Sequence, residues 1–276
     1  MSGRFAGRVA LVTGAARGQG RAHALRMARE GADVIGIDLC AQIESCEYRL
    51  GTETDLAETA AMVEAEDRTF HAEQADVRDR DGLARAIERG LDRTGRIDFV
   101  IANAGIGPMF GPSAATMQAW QDAVDVLLTG AYNTVDLVAG HLVAERRGAI
   151  VLTSSVQGMR TVPAPFDKVN HGFAAYTAAK HGVVGVMRHF ATMLGPYGVR
   201  CNSLHPGPVD TPLVRHPGMD RFLEDFAESY AHSRTALPLT ALDPADIAAA
   251  AVWLCSDDAR WVTGVTLPVD GGHLVT

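Results

Sequence analysis

The chain has 276 residues, 47% hydrophobic and 21% charged, enough apolar material for the core of one large domain. A formal charge of -8 argues against nucleic acid or an anionic membrane surface as the main partner. The N-terminal residues hold no apolar leader core, and no stretch approaches a membrane span in length. Four cysteines (Cys40, Cys46, Cys201, Cys255) are scattered without C-x-x-C or Cys/His ligand spacing. That is the pattern expected of reduced thiols in a cytoplasmic protein without structural metal.

In chain order, short apolar runs predict strands over 8–13, 33–38, 69–74, 98–102, 149–153, 198–204 and 265–269. Between them, helical patterns cover 18–30, 55–66, 79–93, 114–144, 172–194 and 244–255. Strands alternating with helices imply a mostly parallel sheet covered on both faces. The expected fold is a single doubly wound α/β Rossmann domain over 1–276, with a seven-stranded sheet. Three segments break the rhythm. An insertion over 39–54 is longer than an ordinary strand-to-helix loop. Segment 159–172 carries Pro163, Pro165 and Phe166, and segment 210–243 includes a possible helix over 219–232. Loops at the carboxyl ends of strands are where such sheets bind ligands.

After the first strand comes Thr13, then the loop Gly14, Ala15, Ala16, Arg17, Gly18, Gln19, Gly20, opening a helix. Gly14 allows a tight turn, while Gly18 and Gly20 let backbone approach a pyrophosphate and helix approach sheet. The N–H groups of the helix's first turn are then free to hold phosphate. Asp38 ends the second strand, followed by Leu39; a carboxylate there accepts from both ribose hydroxyls and repels a 2′-phosphate. Arg17 pulls the other way, because a guanidinium can pair with that phosphate. Asp38 occupies the place the phosphate needs, so NAD(H) is expected over NADP(H). Asp76 and Val77, after the third strand, suit the adenine edge, and Asn103, Ala104 and Gly105, after the fourth, let a cofactor lie against backbone.

Tyr176 and Lys180 are four residues apart on a predicted helix and so share one face, downstream of the pair Ser154 and Ser155. A phenol titrates near pKa 10, and a neighbouring ammonium favours its ionised form. The expectation is a phenol tuned for proton exchange beside a bound dinucleotide.

These motifs resemble the short-chain dehydrogenase/reductase superfamily from end to end: T-G-x-x-x-G-x-G from Thr13, Asp76-Val77, N-A-G from Asn103, Ser154-Ser155, Y-x-x-x-K from Tyr176, and the segment Pro206-Gly207-Pro208-Val209-Asp210-Thr211. More narrowly, G-A-A-R-G-Q-G-R, Q-A-D-V-R-D and the closing T-G-V-T-L-P-V-D resemble its carveol-dehydrogenase-like, mycofactocin-associated branch. The resemblance implies that Ser155 holds the substrate oxygen, Tyr176 passes the proton, and Lys180 binds the nicotinamide ribose while lowering the Tyr176 pKa. It also implies that Thr153, Pro206, Gly207, Val209 and Thr211 line the nicotinamide end, with Val209 backbone and the Thr211 hydroxyl fixing the carboxamide. In the branch the insertion is thought to cover the cofactor and keep NAD bound through turnover, with reoxidation by a mycofactocin-type carrier. A homotetramer is the family's usual assembly.

Two departures stand out. Leu127 occupies the position where the family often has an Asn in a proton relay, and Asn133, six residues on, is badly placed to replace it. Ser155 and Tyr176 are separated by 21 residues, longer than is common, and the excess is expected to form substrate wall.

Other residues have plainer readings. His171, His181, His189 and His205 show no ligand spacing, so no metal is expected. Trp120, Trp253 and Trp261 read as core or interface, Cys40 and Cys46 as ordinary thiols, and Asp79, Asp81, Glu88 and Asp92 as a solvated helix face. The small residues Ala174, Ala175, Ala178, Ala179, Gly182 and Gly185 allow close helix packing, within the chain or between copies.

The reading is an NAD-dependent oxidoreductase interconverting an alcohol and a ketone. Apolar Met109, Phe110, Phe166, Leu213 and Phe222 suggest a hydrophobic, cyclic secondary alcohol. The rivals are a 3-oxoacyl-thioester reductase, disfavoured by Asp38 and the acidic charge, and a low-turnover dinucleotide-binding sensor or scaffold, favoured by Leu127.

Overall fold

The computed structural model describes residues 3–161, 168–227 and 235–276. Seven strands, β1 (Val9–Thr13), β2 (Asp33–Asp38), β3 (Phe70–Gln74), β4 (Phe99–Ala102), β5 (Gly148–Thr153), β6 (Val199–Pro206) and β7 (Thr266–Val269), form one sheet in the order β3-β2-β1-β4-β5-β6-β7. Every pairing is parallel. The order reverses between β1 and β4, which places a ligand crevice at their carboxyl ends. β1 and β4 are buried throughout, as strands covered on both faces must be.

The helices are α1 (Gly18–Arg29), α2 (Glu53–Glu64), α3 (Arg80–Thr94), α4 (Met117–Val124), α5 (Gly130–Glu145), α6 (His171–Leu194), α7 (Pro217–Asp225) and α8 (Pro244–Cys255). α1 packs on α2 and α8 over one face of the sheet; α3, α5 and α6 pack side by side over the other. α3 illustrates the logic: Leu83, Ala86, Ile87 and Gly90 recur at helical spacing and are buried, while Asp81, Glu88 and Asp92 stay exposed, as expected. At Gly90 an added Cβ would stand 2.7 Å from Ile35, so only glycine lets α3 lie this close to β2.

Three expectations need adjustment. The single predicted helix over 114–144 is interrupted by a π-helical turn, Asp125–Thr129, between α4 and α5. The run Met117–Glu145 is 29 residues long and, by length and composition only, apolar enough to cross a bilayer, which corrects the reading that no stretch approaches that length. Half of its apolar window is buried inside the fold, as in a core helix. The helix expected over 219–232 is α7, two residues earlier at its start and ending at Asp225. Pro163, Pro165 and Phe166 lie outside the described residues, as does the part of segment 210–243 over 228–234.

Candidate active site

The glycine loop meets every steric demand of its position. Gly14 and Gly18 have φ of 69° and 55°, and a Cβ on Gly20 would overlap the Gly14 carbonyl. The loop leads into a helix whose first residue lacks what its neighbours have. Thr52, Asp79, Thr116, Asn170, His216 and Asp243 each cap a following helix with a side chain. Arg17, at the N-cap of α1, makes no side-chain cap, and the first turn holds no acid. Its N–H groups face a cleft lined by Gly14, Arg17, Gly18, Gln19 and Gly20 and open to solvent. An uncapped helix end at a glycine cradle is a site for phosphate.

The cleft brings most of the predicted cofactor residues together. Asp38 and Leu39 line one end, Asp76 and Val77 the next stretch, and Asn103, Ala104, Gly105, Thr153, Tyr176, Lys180 and Thr211 the other. Asp38 is itself anchored: its Oδ2 accepts from the Ala16 N–H at 2.9 Å and its Oδ1 from the Cys40 N–H at 3.1 Å. A carboxylate oxygen accepts more than one bond, so ribose hydroxyls still have acceptors. Ala16 itself is buried, contributing backbone rather than surface. Arg17 places its guanidinium over the Tyr48 ring, 5.8 Å from the centroid. Asp76 is held by Arg78, whose Nε and Nη2 both donate to it. Asn133 donates to the Val77 carbonyl at 3.0 Å, which ties it to the adenine end and away from Tyr176. The Gln19 Oε1 is buried without a partner, an acceptor in want of a donor at the phosphate end. The cradle, the open helix end and the carboxylate at the end of β2 together fit a dinucleotide lacking a 2′-phosphate.

At the far end, Asn103 crosses between strands. Its N–H and that of Ala104 both donate to Thr13 Oγ1 (3.1 and 3.2 Å), and its Nδ2 donates to the Thr13 carbonyl. Lys180 Nζ donates to the Thr153 carbonyl at 2.8 Å, which leaves two of its three protons for a ligand. Ser155 is buried at the mouth of β5, and its hydroxyl lies near enough to Tyr176 to favour the ionised phenol. Thr211 packs over Gly18, and its hydroxyl donates to the Val209 carbonyl at 3.3 Å. Pro206, Gly207 and Val209 stand behind the cleft wall. Gly207 N–H donates to Val269, and Val209 bridges Leu242.

The insertion arches over this cleft. Gln42 binds it together, donating to the carbonyls of Ile43, Cys46 and Tyr48 and accepting from the Leu50 N–H. Ser45 Oγ reaches Asp122 Oδ2 on α4 at 2.7 Å, while the Tyr48 hydroxyl accepts from the Gly107 N–H at 2.8 Å. Tyr48 also stacks on His216, with ring centroids 5.0 Å apart.

A family model described as enoyl-(acyl carrier protein) reductase matches residues 14–273. A (-)-trans-carveol dehydrogenase of Rhodococcus erythropolis is 41% identical over 98% of both chains. The chain belongs to the short-chain dehydrogenase/reductases. A cyclohexanol dehydrogenase of a Rhodococcus species is 36% identical over 96% of each chain. The crystal structure of carveol dehydrogenase from Mycobacterium avium in complex with NAD superposes with a TM-score of 0.90. It is 42% identical, over 99% of this chain and 100% of that one.

Against the pattern of this short-chain dehydrogenase/reductase family, the Tyr176 expectation changes. Burial pushes the phenol above its ordinary pKa, and the Ser155 hydroxyl is the opposing influence. The Lys180 ammonium is turned to Thr153, sits 5.7 Å from the Tyr176 ring centroid, and is itself pushed down to about 8 by burial. Leu127 is 2% exposed and packs with Ala123, Ala175, Ala179 and Tyr176, beside Gly105. The place of a relay amide is therefore filled with hydrocarbon.

The remaining expectations resolve individually. Cys40 and Cys46 are raised to about 11 and about 12, mainly by burial, so both are thiols. His171, His181 and His189 are exposed and His205 is buried; no metal-holding cluster occurs among the described residues. Trp120 packs inside, whereas Trp253 and Trp261 are exposed. Tyr48 and Asp122, which the sequence did not single out, act through partners 59 and 77 residues away, and Thr13 and Asn133, named there in other connections, through partners 90 and 56 residues away. Only Thr13, fixed before the first glycine, carried a local signal.

Proposed function

We propose that this enzyme uses NAD to interconvert a hydrophobic secondary alcohol and its ketone, with Tyr176 as the proton-transferring group. The observation that carries the reading is that Tyr176 and Lys180 stand together, with Ser155 acting on the phenol, at the end of a cleft that begins at the uncapped α1. Bound NAD supplies the hydride acceptor. Ser155 orients the alcohol oxygen, and Tyr176 takes its proton as the phenolate, a form that the positive ring of bound NAD would favour against burial, while Lys180 orients the ribose with the protons Thr153 leaves free. In the reverse direction Tyr176 returns the proton to the forming alkoxide. Val209 backbone and Thr211 would hold the carboxamide: Thr211 lines the cleft over Gly18, and its hydroxyl is tied to the Val209 carbonyl. Leu213 on the cleft wall, with Met109, Phe110 and Phe222 buried beside it, favours a hydrophobic ring as substrate. The carveol and cyclohexanol specificities of the relatives support the same class.

Tyr176→Phe tests the chemistry: cyclohexanol and carveol oxidation should fall by about 10²–10⁴-fold while NADH still binds. Full activity in that variant would remove Tyr176 from the reaction. Leu127 favours a second reading, a dinucleotide sensor with little turnover, and an equally inactive parent and Tyr176→Phe protein would establish it.

The insertion supports a captive cofactor, reoxidised in place by a mycofactocin-type carrier. Native mass spectrometry of protein purified without added cofactor tests this: bound NAD(H) supports it, and an empty protein overturns it. Exposed Tyr132, Met193 and Trp261 are consistent with a homotetramer, and four free cysteines with a cytoplasmic enzyme.

A further inference from the structure

We infer that His205 is a positioning residue for Ser155, holding the serine's backbone so that its hydroxyl meets the substrate oxygen. The inference rests on the role given to Ser155 under the proposed function.

His205 and Ser203 are alternate residues of β6 and project to the same side of the strand. The His205 ring joins two groups: Nδ1 is 2.8 Å from the Ser155 carbonyl oxygen, and Nε2 is 2.9 Å from Ser203 Oγ. A carbonyl can only accept, so Nδ1 carries the proton. In the neutral ring Nε2 is then an acceptor, filled by the Ser203 hydroxyl. Both nitrogens are used, the tautomer is fixed, and at 0% exposure no water competes for either.

Beyond the ladder, β6 reaches the serine through a side chain. The β5–β6 register ends with Thr153 opposite Leu204, and Ser154 N–H still donates to the Leu204 carbonyl. Pro206 ends the strand and has no N–H. Past that point β6 has no backbone donor to give the departing chain. His205 supplies one from its ring.

Ser155 is thus gripped at two atoms. Its Oγ accepts from the Gln157 N–H at 3.2 Å, and its carbonyl accepts from His205 and from the Gly158 N–H at 2.9 Å. The residue is extended, with φ -166° and ψ 166°, so fixing the carbonyl fixes the direction of the Cα–Cβ bond. Because His205 immediately precedes Pro206 and Gly207, the same ring ties the substrate-binding serine to the strand end that shapes the nicotinamide wall.

Two isopolar variants separate positioning from bulk stability. In His205→Asn the amide nitrogen replaces Nδ1 and keeps the donor to Ser155. In His205→Gln the amide sits near Ser203 and that donor is lost. With cyclohexanol as probe substrate, we expect kcat of the Gln variant to fall at least ~10-fold below that of the Asn variant. NADH affinity should be the same in both. In a Ser155→Ala background the Asn and Gln variants should be equally active, because the effect passes through the serine. Equal activity of the two variants in the parent would overturn the inference, as would a difference that persists without Ser155. Should Ser155→Ala alone retain full activity, the role of Ser155 fails, and the inference falls with it for that separate reason.

Discussion

At the scale of single residues, Asp38 does two jobs with one carboxylate. It accepts from Ala16 and Cys40, which pins the glycine loop to the start of the insertion, and it stands where a ribose would lie. Asp38→Ala should lower NAD affinity ~10–100-fold, the worth of one or two hydrogen bonds to a charged group. The NAD-over-NADP preference should narrow, and fluorescence titration with both reduced nucleotides measures each effect. Leu127 invites the opposite experiment. It is 2% exposed in an apolar pocket, so Leu127→Asn should destabilise the fold by about 2–3 kcal/mol in denaturant melts. Residue types in fixed motifs were readable without coordinates: Tyr176, Lys180, Gly14 and Asp38 stand where their spacing put them. The direction of the Tyr176 pKa was not, because burial and the turning of Lys180 toward Thr153 are properties of the packed interior.

At the scale of elements, the seven strands were legible because buried parallel strands are continuous apolar runs between turn residues. The π-helical turn before α5 was not, since one extra residue in a turn barely disturbs hydrophobic periodicity. The insertion was visible only as excess length. Its conformation depends on Gln42 serving three carbonyls and one N–H within the loop, and on Ser45 reaching a helix 77 residues away. Gln42→Ala removes the first set of bonds without touching the cleft surface. Nucleotide release, followed by stopped-flow fluorescence, should accelerate at least ~10-fold, with circular dichroism unchanged.

At the scale of the whole molecule, two histidines on the two sides of the sheet contribute to acid sensitivity. Burial depresses both His23 and His205 to about 4. The unfolded chain titrates near 6.5, so between about pH 4 and 6.5 the folded state binds fewer protons and stability rises with pH. Above 6.5 the contribution is complete; it is lost as pH falls toward 4, by up to about 3 kcal/mol per histidine. His23, fully buried and with neither ring nitrogen partnered, is the simpler probe. His23→Leu should flatten the fall in melting temperature between pH 6.5 and 4.5 relative to the parent.

The uncapped start of α1 bears on how the protein survives before it has a ligand. Six other helices are closed by a side chain of their own, whereas this one is left for a guest to finish. A nucleotide that binds only the folded chain adds RT ln(1 + [L]/Kd) to its stability, about 2.7 kcal/mol at a hundredfold excess over Kd. The melting temperature should therefore climb with the logarithm of NAD concentration. In a cell, the metabolic supply of the dinucleotide would set how long each copy of the enzyme lasts.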